Sequence, residues 1–289
     1  MRNTRRNATR GRGGKRTRKL RVVRDFGRAK EWFVGTAGLM TSKAKWFSQP
    51  ELNLLEINST FYRLPGQRQV SAWLAFPQHI QFVFKMSKYV THIKRLKDPE
   101  EGVANFLESI SALSDRTKGY LVQLPPTFVY NETNKLRLAK LHSLLPSRTK
   151  DVFVEFRDPS WHRDDVYDLF KKQRWVMVGT WINKTEGTKY MGNMPGGLVI
   201  PGPKTTDACY VRLHGAKGFR GSYSNAQLNQ LREAIASRDC KQNFVVFNNT
   251  FFPNRSQSCT KNGVELKFAA VCNAVTFGED VGTASTASS

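Results

Sequence analysis

The sequence predicts one α/β domain, a (β/α)8 barrel, and two observations support this prediction. From residue 32 onward, short apolar runs alternate with amphipathic helical patterns, giving eight strand signals in all. The length of 289 residues suits one large domain or two small ones. A doubly wound open sheet also fits the alternation, but it usually carries a glycine-rich phosphate loop after its first strand. Gly-Thr-Ala-Gly at 35–38 is not that loop.

The N-terminal segment differs from the rest in charge. Residues 1–24 contain nine Arg, two Lys and no acidic residue, which is +11 of a formal net charge of +23. We therefore predict a disordered basic tail over residues 1–30, a barrel domain over 31–277 and a flexible tail over 278–289. A polycation of this kind favours nucleic acid or another anionic surface, although a localisation signal or a solubilising role fits it equally.

Eight strands are predicted from short apolar runs. The second shows the pattern most clearly, because Leu55 and Ile57 alternate with Glu56 and Asn58. Two polar side chains on one face of a buried strand are costly unless they are hydrogen-bonded or used. The predicted strands are residues 32–36, 54–58, 80–86, 119–124, 151–156, 175–180, 208–213 and 243–247.

Helices are predicted between these strands, and two have capping signals at their starts. Asp98 is the predicted N-cap of one, with Glu101 completing a capping box, and Ser224 with Gln227 forms a second box. Residues 181–207 are predicted to be irregular. Of the apolar residues that mark these helices, Leu228, Leu231 and Ile235 are predicted to face inward. The other marking residues are Val70, Trp73, Leu74, Val103, Phe106, Leu107, Ile110, Leu113, Leu136, Leu141, Leu144, Leu145, Val166, Leu169, Phe170, Val264, Phe268, Val271 and Val275.

A polar or charged residue lies at the C-terminal end of nearly every predicted strand. Barrel enzymes carry their sites at this end, so these side chains are expected to converge on one ligand. Glu56, Glu155 and His214 are the candidate acid or base groups. Singly, each has a structural alternative, such as an ion pair between Glu155 and Arg157 or a hydrogen-bonded core histidine at 214. The candidate ligand-binding residues are Thr36, Asn58, Lys85, Gln123, Arg157, Arg212 and Asn248.

The predicted ligand is anionic. Lys85, Arg157 and Arg212 bring three cations to this end of the barrel, and guanidinium groups bind phosphate and carboxylate oxygens in pairs. Only Glu56 and Glu155 offset them, so we expect phosphate or sulfate to stabilise the fold. No metal is predicted, because the remaining histidines show no ligand spacing. The sequence does not identify a cofactor.

Seven motifs, in matching order, resemble those of the YecE-like family, also called domain of unknown function 72. The resemblance covers about residues 32–277 and implies a TIM-barrel-like fold, but no established reaction. The motifs are Gly-Thr-Ala-Gly at 35–38, Glu-Ile-Asn-Ser-Thr-Phe-Tyr-Arg-Leu-Pro at 56–65, Thr-His-Ile-Lys-Arg-Leu-Lys-Asp at 91–98, Gln-Leu-Pro-Pro at 123–126, Glu-Phe-Arg-Asp-Pro-Ser-Trp at 155–161, Arg-Leu-His-Gly at 212–215 and Phe-Asn-Asn at 247–249.

Three functions are compatible with these features. The first is hydrolysis of a phosphoester, with a glutamate as base and His214 as acid or orienting group, an interpretation by analogy with barrel endonucleases. The second is nucleic-acid binding without catalysis. The third is an enzyme acting on a small sugar or carboxylate. The basic stretch 91–98 either contacts the backbone of a polyanion or is only a solvated run of charges. The aromatic residues either stack on bases or sugars or only seal this end of the barrel. They are Phe61, Tyr62, Trp161 and Tyr223.

The cysteines and apolar runs bear on location. Cys209, Cys240, Cys259 and Cys272 are scattered, which favours a reducing intracellular compartment without a disulfide framework. We expect a cytoplasmic or nuclear protein, and the Arg-rich N-terminus leaves organellar import open. No apolar run reaches the ~18 residues of a membrane span, so no membrane partner is expected. Nothing in the sequence indicates an oligomeric state.

Overall fold

A computed structural model describes residues 30–182, 194–215, 219–252, 254 and 256–282. The predicted basic tail lies outside these residues except for Lys30. Residues 283–289 of the predicted C-terminal tail also lie outside them. Residues 278–281, which were predicted to be flexible, continue the last helix instead.

Ten strands form one sheet in the order β6-β5-β4-β3-β2-β1-β10-β9-β7-β8. All neighbours are parallel except β8, which runs antiparallel to β7. A separate hairpin is formed by β11 and β12. The strands are β1 Glu31–Ala37, β2 Leu54–Ile57, β3 Gln81–Lys85, β4 Thr117–Gln123, β5 Asp151–Glu155, β6 Val176–Met177, β7 Gly179–Ile182, β8 Gly197–Val199, β9 Ala208–Leu213, β10 Gln242–Phe247, β11 Cys259–Lys261 and β12 Val264–Leu266.

The sixth predicted strand is present in two pieces, and they bring the ends of the sheet together. β6 pairs with β5, whereas β7 pairs with β9, and only Val178 separates the two pieces. Gly179 begins the second piece, where a Cβ atom would lie 3.1 Å from the carbonyl oxygen of Val199. The described part of the sheet therefore closes into a barrel of eight parallel strands, in which β6 and β7 together count as one and β8 is additional. The predicted fold class is confirmed.

Helices connect the strands. The capping box of Ser224 and Gln227 is confirmed. The box at Asp98 is wrong, because Asp98 has a left-handed backbone (φ 43°) and Pro99 occupies the N-cap position. The helices are α1 Lys43–Phe47, α2 Ser59–Tyr62, α3 Gln67–Leu74, α4 Glu100–Ser109, α5 Glu132–Leu144, α6 Asp164–Gln173, α7 Asn225–Ala236 and α8 Ala269–Val281, with a π-helical turn at Tyr89–Ile93 and 3₁₀ turns at Ser111–Arg116 and Pro159–Trp161.

The predicted leucine-rich helix is present as α5, where Leu138 and Leu141 are buried and Leu136 is 69% exposed. Two other assignments differ from the structure. Val264 lies in the β11–β12 hairpin rather than in the last helix. Part of the region predicted to be irregular, residues 181–207, forms the end of β7 and all of β8, and residues 183–193 lie outside the described part of the chain.

Strand alternation sorts the apolar residues into two cores. Leu55 and Ile57 face outward and join the large core between the sheet and the helices. Leu54 faces inward and packs with Phe153 and Phe244 inside the barrel. Glu56 lies two residues after Leu54 on β2 and therefore also faces inward. Its carboxylate lies above the apolar interior, nearer the carboxyl end of the barrel.

All four cysteines are paired in the structure. One disulfide joins Cys209 to Cys240, and the other joins Cys259 to Cys272. The prediction of a chain without a disulfide framework is therefore wrong. Disulfides are typical of oxidising environments, so this pairing does not support the reducing compartment inferred from the sequence.

Candidate functional site

The carboxyl end of the barrel interior holds a cluster of buried ionisable groups, which we call the charged layer. It lies directly above the apolar interior, because each strand continues its inward alternation past the last apolar residue. Its members, excluding partly exposed Lys85, are at most 4% exposed. The charged layer consists of Glu56, Lys85, Glu155, Arg157, Arg212 and His214.

Arg212 of β9 is the centre of the charged layer. Its Nε and Nη2 donate to the two carboxylate oxygens of Glu56 at 2.9 and 2.7 Å, and its Nη1 donates to Glu155 at 2.5 Å. A guanidinium in this bidentate geometry holds a carboxylate in one orientation. Arg212 therefore joins strands β2, β5 and β9 through side chains that are excluded from water.

Glu155 is shared between two arginines and approached by a histidine. Arg157, two residues beyond it, also forms an ion pair with its carboxylate. The Nε2 atom of His214 lies 3.6 Å from Glu155 Oε1, which is longer than a hydrogen bond. Asn248 Nδ2 lies 3.3 Å from His214 Nδ1. If the amide donates to Nδ1, the imidazole proton is on Nε2 and faces Glu155.

These contacts shift the ionisation of the cluster. Although burial alone would raise it, Arg157 and Arg212 hold the pKa of Glu155 well below its usual range. Burial and the neighbouring Arg157 lower the pKa of His214 to about 3, so its imidazole is neutral at pH 7. Burial opposes the charge of Arg212, but Glu155 and Glu56 hold the pKa of Arg212 above its usual range.

Lys85 differs from the two arginines. It ends β3, and its Nζ lies 4.1 Å from the centroid of the Phe61 ring. Within the described part of the chain, no hydrogen bond or ion pair holds this ammonium group. Burial, followed by the charge of Arg212, lowers the pKa of Lys85 to about 7. Lys85 is therefore the member of the layer that changes charge near neutral pH.

The remaining predicted residues lie at the same end with different contacts. Thr36 is engaged locally, since it accepts from Trp46 Nε1 at 2.9 Å and donates to the Gly38 carbonyl at 2.6 Å. Gln123 donates to the Leu124 carbonyl at 3.0 Å. In contrast, the buried Oδ1 of Asn58 and Nε2 of His214 have no hydrogen-bond partner among the described residues. Such atoms are unusual unless water or a ligand satisfies them.

Sequence reasoning missed Tyr210 and the position of His92. The Tyr210 hydroxyl donates to Glu56 at 2.6 Å, and burial followed by Glu56 raises the pKa of Tyr210 well above its usual range. A signal was present, because Tyr210 lies two residues before Arg212 and so shares its face. His92 packs edge-on against Phe61, and burial followed by Lys85 lowers its pKa to about 4.

The aromatic residues considered as ligand contacts are of two kinds, buried and exposed. Trp161 is fully buried and donates to the Phe128 carbonyl at 2.6 Å, and the Tyr223 hydroxyl accepts from the Gly215 amide at 2.8 Å. Both belong to the core between the sheet and the helices. Tyr62 is 79% exposed and Tyr89 is 47% exposed, the latter with Lys94 Nζ 5.6 Å from its ring centroid. These two present aromatic surface to solvent.

A second polar feature lies at the opposite, amino end of the barrel. A cavity of about 330 Å³ is lined by residues at the starts of β4, β5, β9 and β10. Asp151 lies on its wall, and burial raises the pKa of this carboxyl to about 6 although Lys118 and Arg174 oppose the shift. Lys118 Nζ lies 4.6 Å from the Phe33 ring centroid.

The described residues offer neither a metal-binding cluster nor a membrane-spanning helix. Within those residues, no group of three or more His, Cys, Asp or Glu side chains is arranged to hold a metal ion. No helix in the same part of the chain has the length and apolar character needed to cross a membrane.

The fold and the charged layer define a (β/α)8-barrel protein with a buried ionic cluster at the carboxyl ends of its strands. A family model, "Protein of unknown function DUF72", matches residues 42–261. The chain belongs to this DUF72 family, which confirms the resemblance seen in the seven motifs.

Solved structures agree with this assignment. A DUF72 family protein from Thermotoga maritima is 26% identical, with a TM-score of 0.67 over 87% of this chain and 99% of that chain. A DUF72 family protein from Enterococcus faecalis is 21% identical, with a TM-score of 0.68 over 88% and 99% of the two chains, and this match supports the fold alone. No curated protein matches the sequence.

Proposed function

We propose that the charged layer binds a phosphate-bearing ligand at the carboxyl end of the barrel. The observation that carries this proposal is an excess of cations. When Lys85 is protonated, the described members of the layer place three cations, Lys85, Arg157 and Arg212, against two carboxylates, and His214 stays neutral. A buried excess charge is costly, so a bound anion stabilises the layer.

The ion pairs assign separate tasks to the cations. Arg212 uses three of its nitrogens on Glu56 and Glu155, so it contributes its field and not a direct contact with the ligand. Among the described residues, the Lys85 ammonium group has no hydrogen-bond or ion-pair partner, and Oδ1 of Asn58 and Nε2 of His214 have no hydrogen-bond partner, so all three can offer contacts to a ligand. A phosphate can accept from Lys85 while a hydroxyl of the same ligand donates to Asn58.

For the reaction, hydrolysis of a phosphoester through Glu155 is disfavoured by the same contacts. A carboxylate held by two arginines is a weak base, and a histidine with a pKa near 3 carries no proton to donate as an imidazolium at pH 7. Glu56 is likewise held by Arg212 and Tyr210. We therefore assign His214 the orienting role and leave ligand binding as the function supported best.

Nucleic acid is the second candidate partner, and the exposed aromatics favour it. Tyr62 and Tyr89 are exposed in the segments that follow β2 and β3, and Lys94 lies over the Tyr89 ring. Exposed aromatic rings can stack nucleotide bases, and neighbouring cations add to this binding. The basic residues 1–24 would add phosphate contacts. In this proposal the charged layer binds a terminal phosphate and the surface binds the strand. A nuclear or cytoplasmic location belongs to the same proposal.

Thermal melts across a phosphate series at constant ionic strength test the binding proposal. We expect a saturable rise in Tm that is lost in Lys85→Met and in Arg157→Met. Lys118→Met is the matched control, because it removes a lysine that stacks on a phenylalanine at the other end of the barrel. A rise that survives in both carboxyl-end variants, or no rise in the unmodified protein, contradicts the proposal.

A further inference from the structure

The charged layer contains one group whose role phosphate binding alone does not explain. Lys85 is placed at the carboxyl end of β3, where barrel residues meet their ligands. A cation that served only as a counter-charge would be expected to pair with a carboxylate, as Arg212 and Arg157 do. Within the described residues, Lys85 instead rests on the Phe61 ring.

The backbone and the ring fix the position of this amine. The Lys85 carbonyl accepts from Thr60 Oγ1 at 2.7 Å, which ties the end of β3 to helix α2. Phe61 follows Thr60 in α2, so the same helix carries the ring that covers the lysine. The amine nitrogen is therefore held against the face of an aromatic ring, within the electrostatic influence of Arg212, Glu155 and Glu56.

The surroundings favour the neutral amine. Burial and the fields of Arg212 and Arg157 oppose the ammonium form, whereas Glu155 and Glu56 favour it. His92, which also packs against Phe61, is neutral at pH 7. A lysine that is desolvated beside other cations is a nucleophile toward carbonyl carbon at neutral pH.

We propose that Lys85 forms an imine with an aldehyde or ketone whose phosphate group occupies the charged layer. This inference rests on the proposed phosphate site and names the substrate class of that site. The amine nitrogen bonds to the carbonyl carbon, and the carbonyl π electrons move to oxygen. The oxygen then leaves as water with the two hydrogens of the amine, and a carbon–nitrogen double bond remains.

Reductive trapping tests this inference on the full chain. Glyceraldehyde 3-phosphate is the probe, with cyanoborohydride at pH 7 to convert an imine into a stable secondary amine, and mass spectrometry of peptides locates the label. We expect Lys85 to be labelled at least about tenfold faster than any other lysine, because ordinary lysines are almost fully protonated at this pH.

Two variants and the pH profile provide controls. Lys85→Arg keeps the positive charge and removes the nucleophile, so the label at this peptide disappears, whereas Lys118→Arg leaves it unchanged. The labelling rate at Lys85 is expected to rise through a midpoint near 7, set by Arg212, Arg157, Glu155 and Glu56. Labelling spread over exposed lysines with no preference for Lys85 overturns the inference, and this result can be read without any variant.

The two proposals fail separately. Phosphate-dependent stabilisation without labelling of Lys85 overturns the imine and retains the phosphate site. Equal labelling of Lys85 by glyceraldehyde and by its 3-phosphate, without protection by inorganic phosphate, supports the nucleophilic amine and contradicts the phosphate site. Faster labelling by the phosphorylated probe, with protection by inorganic phosphate, supports both.

Discussion

At the carboxyl end of the barrel, Glu56, Glu155 and Arg212 are closed off from solvent and bonded to one another, whereas at the amino end Asp151 and Lys118 line an open cavity. Both ends place acidic and basic side chains near the barrel axis. Only the carboxyl end encloses them fully and connects three strands through them.

The carboxylates at the two ends also have pKa shifts of opposite direction. Glu155 has its pKa lowered because two arginines outweigh burial, but Asp151 has its pKa raised because its cations do not outweigh burial. A carboxylate that is paired in this way stabilises the fold at neutral pH, and one that is poorly paired weakens it. The paired carboxylate of Glu155 in the charged layer therefore stabilises the fold at neutral pH, whereas the poorly paired Asp151 in the amino-end cavity destabilises it.

The largest effect is expected from Arg212→Met, which removes the centre of the charged layer. It leaves the carboxylates of Glu56 and Glu155 buried with fewer partners, so we expect a loss of about 3–5 kcal/mol in the free energy of unfolding. Urea unfolding at pH 7 measures it. Arg174→Met at the exposed amino end is the matched control, with a change of less than about 0.5 kcal/mol. Similar losses in both variants would remove the distinction between the ends.

A smaller effect of opposite sign is expected from Asp151→Asn. Between pH 4 and pH 6, the folded protein binds the Asp151 proton more tightly than the unfolded chain, so stability falls as pH rises through this window. Asparagine removes this loss. With a discount for solvent in the open cavity, we expect a gain of about 1 kcal/mol at pH 7 that vanishes below about pH 4.

Unfolding of both proteins as a function of pH checks this prediction. The quantity to plot is the stability of Asp151→Asn minus that of the unmodified protein. It should rise between pH 4 and pH 6 and stay level above that range. A difference that is negative at pH 7 would show that Lys118 and Arg174 do hold Asp151 as a stabilising partner.

The smallest effect on stability is expected from removing residues 1–29. Lys30 is retained, because its Nζ donates to the Ala236 carbonyl at 2.9 Å and lies 3.4 Å from Asp239. The Tm should change little, while nucleic-acid binding should weaken and lose much of its dependence on salt, since twelve cations are lost. Binding with an unchanged salt dependence would assign the affinity to the barrel, and a large fall in Tm would show that the tail is part of the fold.

The barrel and most of the charged layer are readable from the sequence, because both follow from strand alternation. The face that carries Leu54 continues to Glu56, and the same step leads from Phe153 to Glu155. Tyr210 was not predicted as a site residue, because an aromatic residue in a strand usually belongs to the hydrophobic core. Its spacing of two residues from Arg212 nevertheless indicated that the two side chains share a face.

Other features depend on geometry that one sequence does not specify. The Cys209–Cys240 bridge joins positions 31 residues apart, and their distance is set by the pairing of β9 with β10. The break at Val178 had a local signal in Gly179, since glycine within a strand often marks an irregularity. The pairing of Glu155 with Arg157 was open to prediction, because the two lie two residues apart. The pairing of Arg212 was not, because both of its carboxylates reach it from other strands, so the sequence did not show that Lys85 lacks a carboxylate partner among the described residues.

The ionisation of Lys85 tests the central claim of an unbalanced charged layer most directly. NMR of the protein labelled with ¹³C at lysine Cε, with the signal assigned by Lys85→Arg, gives this pKa with and without phosphate. We predict a pKa of about 7 without phosphate and a higher value with it, because a bound anion favours the ammonium form. An ordinary lysine pKa that phosphate does not move would show that the layer is already balanced and would contradict the account.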